Sequence, residues 1–544
     1  MFNMKKIIEK IENLNISFWY MIAMFCFAIT IRTFLENFTS LNYHGRLNGF
    51  INIFIHQPLW YIAVFLGLAG IIYFFSKKPL SKVMNIISFG SFVIILPTII
   101  DFLFYRQKIA YEYITGSWSE IFRQYYTLLI GNTSFGVGIK TEIIIVLISI
   151  FYYVYSQKKE LLKSIIAVFA SYTLIFIMLI IPNILYFIVS FFNSLPVLTS
   201  LSIKHFFLST DLNNQFVFSK AYLSETTFDG IKGVIQNLMY VLMAQSSFYM
   251  LLLFSCCLTL IKFGMKKTGQ LFGNFRWLRI AHYFVLLFFG IMIGQKNLNS
   301  ISGFHNIYDW FSLFSTSFSL LFAWLFAVWE NDEVDKNIDQ LSNTDRPLVK
   351  KIFTDIEWNN MKWVFFVLSI ISAILSGYST LPTIIVFLVI YHIYSVYPLR
   401  LKRYPIISSA LVSINACLAF MLGFFLVSGN EPFNILPIGV LSGIFIFYLC
   451  VENIKNLKDI AGDTKEKIIT VPVIFGEKKG KIITWILVLL GTFTIPLMIF
   501  STKQISWLGP VFGALSYFLI VRRNYKEKPL FLLYLCGFLL LMFW

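Results

Sequence analysis

The sequence predicts an all-α, polytopic membrane protein with about 15 transmembrane helices. Composition gives the first two reasons: 58% of the 544 residues are hydrophobic and only 13% are charged, with a mean hydropathy of +0.75. The third reason is the length of the apolar runs, because a helix needs about 20 mostly apolar residues to cross a bilayer. The runs are continuous rather than alternating with period two, which argues against a β-barrel.

The predicted spans run from one end of the chain to the other. They are centred near residues 25, 66, 93, 149, 178, 250, 288, 319, 369, 388, 416, 442, 491, 513 and 536. Lys5, Lys6 and Lys10 precede the first span as they would in a secretory signal. No small-x-small cleavage site follows, so we expect an uncleaved first helix.

The distribution of positive charge predicts the orientation. A net charge of +17 could indicate a nucleic-acid partner, but most of the 44 Lys and Arg residues fall in loops on one side of the predicted spans. This is the positive-inside pattern, so we expect no nucleic acid and a cytoplasmic N-terminus. An odd number of crossings then places the C-terminus outside, and both acidic clusters described below face the cytoplasm.

A basic segment divides the chain into two predicted domains. Residues 262–279 combine Lys and Arg with three glycines and are predicted to be a cytoplasmic linker. Residues 1–261 form a predicted six-helix membrane domain of unassigned role. Within it, Asp101 at the outer end of the third span is either a functional carboxylate or an interfacial one. Residues 280–544 form a predicted nine-helix domain with long cytoplasmic loops.

Two acidic clusters, each directly after an apolar run, are the strongest functional signal. They consist of Asn331, Asp332, Asp335 and Asp339, and of Asn456, Asp459 and Asp463. Asp and Glu total only 27 of 544 residues, so this concentration is not background. On a helix, positions i, i+3 and i+7 lie within an arc of about 60°. Each cluster therefore aims its side chains at one point, as a divalent cation requires.

Basic residues accompany these clusters in the same predicted loops. Arg346 follows the first cluster, Lys402 and Arg403 follow a later span, and Lys455 adjoins the second cluster. Mg²⁺ prefers one or two carboxylates together with substrate phosphate oxygens. Carboxylates, metal and cations together describe a site for a diphosphate. Because the site opens at helix ends, a substrate with a diphosphate head and a hydrocarbon tail fits it.

Four ordered motifs resemble those of the UbiA family of intramembrane prenyltransferases, across roughly residues 270–544. They are N-D-x-x-D-x-x-x-D at 331–339, D-R-P at 345–347, Y-P-L-R-L-K-R at 397–403 and K-N-L-K-D-I-A-G-D at 455–463. One departure is Asn456, where family members often carry Asp. An amide oxygen can still ligate Mg²⁺, so we expect activity to survive.

The resemblance implies a UbiA-type nine-helix bundle, two Mg²⁺ ions and a prenyl transfer to a lipophilic or aromatic acceptor at a cytoplasmic active site. The implied metal ligands are Asn331, Asp332, Asp335, Asp339, Asn456, Asp459 and Asp463. The implied catalytic residues are Asp332, Asp335, Asp459 and Asp463, and the implied diphosphate-binding residues are Asn331, Arg346, Lys402, Arg403 and Lys455. The diphosphate would leave, and aromatic faces would stabilise the resulting allylic cation away from water.

Other functions stay open. The same aspartates could bind phosphoribosyl diphosphate or another sugar diphosphate donor, with polyprenyl phosphate as the acceptor. The C-terminal half could instead be a non-catalytic transporter or scaffold. The carboxylates could also simply form surface salt bridges with Lys336, Lys350, Lys455 and Lys458. The expected partners are therefore a diphosphate donor, a lipophilic acceptor and membrane lipid, and the sequence does not predict an oligomeric state.

Overall fold

The structure is a computed structural model, and within the residues that it describes there are helices and no strands. The described residues are 4–41, 52–105, 113–131, 135–193, 230–297, 307–377, 379–428, 435–457, 460, 464, 469–494, 508–521 and 527–543. The predicted all-α class is confirmed. The chain divides into two compact units between Thr268 and Gly269, which lies inside the predicted linker.

Eleven helices in the described part of the chain are long and apolar enough to cross a membrane. Four shorter apolar helices accompany them. A multi-pass membrane protein is therefore confirmed, while the total of about 15 spans stays a prediction.

The N-terminal unit contains ten helices among its described residues, the tenth of which passes the unit boundary. They are α1 (Met4–Glu12), α2 (Phe18–Leu41), α3 (Gln57–Ser76), α4 (Leu80–Gly90), α5 (Leu96–Tyr105), α6 (Trp118–Thr127), α7 (Val137–Lys158), α8 (Leu161–Leu179), α9 (Ile181–Asn193) and α10 (Gly230–Gly273). A π-helical turn (Asn52–His56) and a 3-10 turn (Ser91–Ile95) precede α3 and α5. Gly264, at φ 72°, interrupts α10 near the start of the predicted linker.

Buried polar contacts tie the helices of this unit together. Glu12 at the end of α1 accepts a hydrogen bond from the Tyr153 hydroxyl (2.8 Å) and pairs with Lys78 (3.3 Å). Asp101 is buried and accepts a 2.7 Å hydrogen bond from the Gly138 amide in the first turn of α7. This contact gives Asp101 a structural role in joining α5 to α7.

The C-terminal unit contains ten further helices among its described residues. They are α11 (Trp277–Asn297), α12 (Ile307–Val334), α13 (Lys336–Ser342), α14 (Asp355–Ser376), α15 (Thr380–Ser395), α16 (Pro405–Ser428), α17 (Ile438–Val451), α18 (Val471–Thr492), α19 (Leu508–Ile520) and α20 (Glu527–Phe543). The 3-10 turns Leu401–Arg403 and Glu452–Leu457 follow α15 and α17. Consecutive long helices mostly pack side by side, and α11 also contacts both α16 and α20.

Two glycines set the distance between α11 and α16. A Cβ at Gly290 would lie 2.0 Å from the Phe420 carbonyl oxygen, and a Cβ at Gly423 would lie 1.8 Å from that of Leu287. Small residues let helix backbones approach closely in membranes, where packing rather than apolar burial drives association. The pair α11–α16 therefore depends on having no side chain at either position.

Aromatic stacking joins α12 to α14. The Trp329 and Trp358 rings are stacked with centroids 4.8 Å apart, and the Trp358 indole donates to the Trp329 carbonyl (3.0 Å). A capping box in which Thr354 and Glu357 bond reciprocally starts α14. These contacts fix the last turns of α12, from which the first acidic cluster continues.

We expect Gly423→Ala to destabilise the C-terminal unit by about 1–3 kcal/mol, because the new methyl group meets backbone that cannot rotate away. Thermal unfolding of the purified protein in detergent measures the effect. Gly439→Ala is the matched control, since a Cβ there meets no atom within 4 Å. Equal melting temperatures for the two variants would contradict the close approach of α11 and α16.

Candidate active site

A cavity of about 220 Å³ lies within the C-terminal unit, and its lining is charged in one part and aromatic in another. The charged and amide side chains come from helix ends and adjoining turns. They are Arg276, Arg279, Asn331, Asp335, Asp339, Asn343, Arg346, Lys402, Glu452, Lys455 and Asn456. The aromatic side chains come mostly from within the helices. They are Tyr283, Trp324, Tyr391, Tyr394, Phe447, Tyr448, Phe531 and Tyr534.

The order of residues along α12 separates the two parts of the cavity. Trp324 lies seven residues before Asn331 on the same helix, a distance of about 10 Å at 1.5 Å per residue. The aromatic part therefore lies deeper among the helices than the charged part. An amphiphile with an anionic head and an apolar tail matches this division.

The first cluster keeps a helical register past the end of α12. The Asp335 amide donates to the Asn331 carbonyl and the Asp339 amide donates to the Asp335 carbonyl, both at 2.9 Å. This i, i+4, i+8 spacing places Asn331, Asp335 and Asp339 on one face, and all three line the cavity. Asn331 also accepts from the Ser395 hydroxyl (3.3 Å).

Asp335 is held between two cations of the turn after α15. The Arg400 guanidinium lies 2.9 Å from its carboxylate, and the Lys402 ammonium lies 2.6 Å away. Arg400 is only 2% exposed, so its charge depends on this partner. Burial lowers the pKa of Lys402 from its ordinary value, and the Asp335 carboxylate opposes that shift.

Asp332 points elsewhere. Its carboxylate is 1% exposed and accepts hydrogen bonds from the Asn274 amide (3.0 Å) and from the guanidiniums of Arg276 and Arg346. Arg346 also lies 3.1 Å from Asp339. Asp332 is not part of the cavity lining, although both of its arginine partners are.

The described part of the second cluster faces the same cavity. Lys455 donates to the Tyr394 hydroxyl (2.6 Å) and pairs with Glu452. Asn456 is buried and also lines the cavity. Asp459 and Asp463 lie outside the described residues, so their roles stay predictions.

Among the remaining predicted diphosphate-binding residues, Arg403 differs from the others because it does not line the cavity. It donates to the Tyr397 hydroxyl (2.6 Å) while its guanidinium lies 4.9 Å from the centre of that ring. Its predicted contact with a diphosphate stays a prediction. Arg346, Lys402 and Lys455 line the cavity, and their contacts with a diphosphate also stay predictions.

Sequence reasoning missed several lining residues. Arg276 and Arg279 fall in the predicted linker and gave no motif of their own. Tyr283 and Tyr391, whose hydroxyls are hydrogen-bonded, are indistinguishable by pattern from the other tyrosines of the chain. Glu452 could have been found, because it is an acidic residue in the turn that leads into the second cluster.

The oxygen donors that line the cavity fit a hard divalent cation. An amide oxygen from Asn331 and carboxylates from Asp335 and Asp339 share one face, and such ligands suit Mg²⁺. No group of three His, Cys, Asp or Glu side chains with metal-binding geometry occurs among the described residues. The described donors alone therefore make a partial set of ligands for such an ion.

Comparison with known proteins shows a family match in the C-terminal part of the chain. Residues 300–532 match the model of the UbiA prenyltransferase family. Two archaeal relatives are named digeranylgeranylglyceryl phosphate synthase. The one from Methanosphaera stadtmanae is 28% identical over 206 residues, covering 36% of this chain and 72% of the relative. The one from Sulfolobus acidocaldarius is 27% identical over 218 residues, covering 39% of this chain and 77% of the relative.

Solved structures of UbiA homologues also align with this chain. A homologue from Archaeoglobus fulgidus bound to GPP and Mg²⁺ is 20% identical, covers 50% of this chain and 98% of its own, and gives a TM-score of 0.39. A homologue from Aeropyrum pernix K1 is 17% identical. The alignment covers 48% of this chain and 96% of the homologue, with a TM-score of 0.38. TM-scores below 0.5 do not establish a shared fold, so the assignment rests on the sequence match. The match over residues 300–532 confirms the resemblance to the UbiA prenyltransferase family that the motifs predicted.

We expect Arg400→Ala to lower the free energy of unfolding by about 3 kcal/mol, because it removes a buried partner of Asp335. Thermal or denaturant unfolding of the full chain in detergent measures the loss. Lys350→Ala is the control: it breaks an ion pair with the solvent-exposed Asp345 (2.7 Å), and we expect no measurable change. An unchanged stability of the Arg400 variant would contradict a structural role for this pair.

Proposed function

We propose that the C-terminal unit transfers an isoprenyl group from its diphosphate to a lipophilic acceptor and releases diphosphate in a Mg²⁺-dependent reaction. The match of residues 300–532 to a prenyltransferase family supports an enzyme of this type. The observation that carries the proposal is the division of one cavity into a charged part and an aromatic part. A prenyl diphosphate has the same division within one molecule.

The charged part would bind the diphosphate. Arg346, Lys402 and Lys455 line it and would contact the phosphate oxygens. Asn331, Asp335 and Asp339, together with the predicted ligands Asp459 and Asp463, would hold Mg²⁺. The family resemblance implies two Mg²⁺ ions, which would neutralise charge on the leaving diphosphate.

The aromatic part would hold the isoprenyl chain. When the bond between the prenyl carbon and the diphosphate oxygen breaks, positive charge develops on the allylic group. Tyr283, Trp324 and Tyr391 line the cavity, and the negative face of an aromatic ring would stabilise such a cation. Enclosure by buried aromatic side chains also excludes the water that would otherwise capture it.

The acceptor is proposed to be lipophilic and to reach the same cavity. The product named for the two archaeal relatives is a prenylated glyceryl phosphate, so we include glyceryl phosphate lipids beside aromatic compounds among the acceptors to be tested. The positive-inside distribution of Lys and Arg supports a cytoplasmic active site, with the N-terminus on the same side and the C-terminus outside.

We expect Asp335→Asn and Asp459→Asn each to lower Mg²⁺-dependent release of diphosphate by at least a hundredfold, because a carboxylate that serves the metal becomes neutral. Release from a labelled prenyl diphosphate by the purified chain is the measurement. Glu333→Gln is the matched control, since Glu333 pairs with Lys362 (2.6 Å) outside the cavity and should retain full turnover. Full turnover by the Asp335 variant would refute the assignment of this site.

The identity of the donor substrate distinguishes the proposed prenyl transfer from the transfer of a sugar. We expect labelled geranylgeranyl or geranyl diphosphate to give labelled lipid, because an extended apolar tail matches the aromatic lining. Phosphoribosyl diphosphate has no such tail and should give none. Labelled lipid from phosphoribosyl diphosphate alone would favour the sugar transferase, and transport without diphosphate release would favour the non-catalytic function.

A further inference from the structure

Asp332 stands apart from the other acidic residues of its cluster. Asn331, Asp335 and Asp339 line the cavity, whereas the Asp332 carboxylate is 1% exposed and lies outside the lining. The preceding and following cluster residues therefore face the cavity, and Asp332 lies behind it. Belonging to the sequence motif therefore does not place the Asp332 carboxylate where a metal ligand would lie.

The partners of Asp332 already satisfy its carboxylate. One oxygen accepts from the Asn274 amide at 3.0 Å, and the other accepts from both Arg276 and Arg346. These donors come from two chain segments, the turn between α10 and α11 and the loop after α13. Asp335 is also paired with two cations, but it lines the cavity. A metal ion bound by Asp332 would have to displace charge-assisted hydrogen bonds at a buried position away from the cavity lining.

The two arginines held by Asp332 reach the cavity themselves. Arg276 and Arg346 both line it and are about one-fifth exposed, at 19% and 20% of their side-chain surface. Arginine presents its donors in a planar fork that matches phosphate oxygens. A buried carboxylate behind such a fork fixes the orientation of the guanidinium, and both guanidinium groups belong to residues that line the cavity.

We infer that Asp332 is a positioning residue that holds Arg276 and Arg346 toward the donor diphosphate, and that Arg276 is a further diphosphate-binding residue. This inference rests on the proposed function for the identity of its ligand. It assigns metal binding in the first cluster to Asn331, Asp335 and Asp339. It also brings into the site an arginine from the turn before α11.

Binding measurements that need no turnover test this division of roles. Mn²⁺ binding to the full chain in detergent is followed by electron paramagnetic resonance, and inorganic diphosphate binding is followed by calorimetry at saturating Mn²⁺. We expect Asp332→Asn to leave the Mn²⁺ dissociation constant within about twofold of the native value and to weaken diphosphate binding tenfold or more. We expect Asp335→Asn to weaken Mn²⁺ binding tenfold or more.

Arg276→Gln tests the second half of the inference and keeps the Asp332 carboxylate in place. It should weaken diphosphate binding about as much as Asp332→Asn does. In the double variant, Arg276→Gln with Asp332→Asn, the dissociation constant for diphosphate should rise by less than the product of the two single fold-changes. Arg276→Lys should recover only part of the loss, because it lacks the planar fork. Should Asp332→Asn fail to fold, the arginine variants still decide the outcome.

Glu333→Gln, one residue further along α12, should match the native chain in both measurements. Loss of Mn²⁺ binding in Asp332→Asn equal to that in Asp335→Asn would overturn the positioning role. If Arg276→Gln bound diphosphate as tightly as the native chain does, the proposed role of that arginine would be overturned. Failure of the native chain to transfer a prenyl group would refute the proposed function alone, because neither binding measurement depends on turnover.

Discussion

The pairing of buried carboxylates with buried or half-buried cations at the end of α12 is the interaction on which the site depends. Asp332 and Asp335 are each paired with two cations from other segments of the chain. A buried charge without its partner costs several kcal/mol, so these segments cannot leave the helix end independently. The turn before α11, the loop after α13 and the turn after α15 are thereby fixed around one cavity.

Composition was sufficient for the fold class, and helical spacing was sufficient for part of the site. Continuous apolar runs predicted a multi-pass helical protein, and the first acidic cluster predicted a shared face. Spacing alone could not distinguish which members of the cluster face the cavity. That distinction depends on Asn274, Arg276 and Arg346, which approach Asp332 from distant parts of the chain.

The aromatic part of the cavity was not predictable residue by residue. Aromatic residues make up 18% of the chain, so no single tyrosine or tryptophan stands out in the sequence. Tyr283 and Tyr391 become distinctive only when α11 and α15 bring their hydroxyls together. The side-chain packing of nonadjacent helices supplies this information, and a periodic pattern along one helix cannot.

The helical register from Asn331 to Asp339 has a consequence for how this segment can vary. Each residue inserted or deleted between these positions would turn everything beyond it by about 100°. Asp339 would then leave the face shared with Asn331, even if every original side chain were retained. Length conservation within this segment is therefore as strict a requirement as residue identity, whereas a surface loop tolerates both kinds of change.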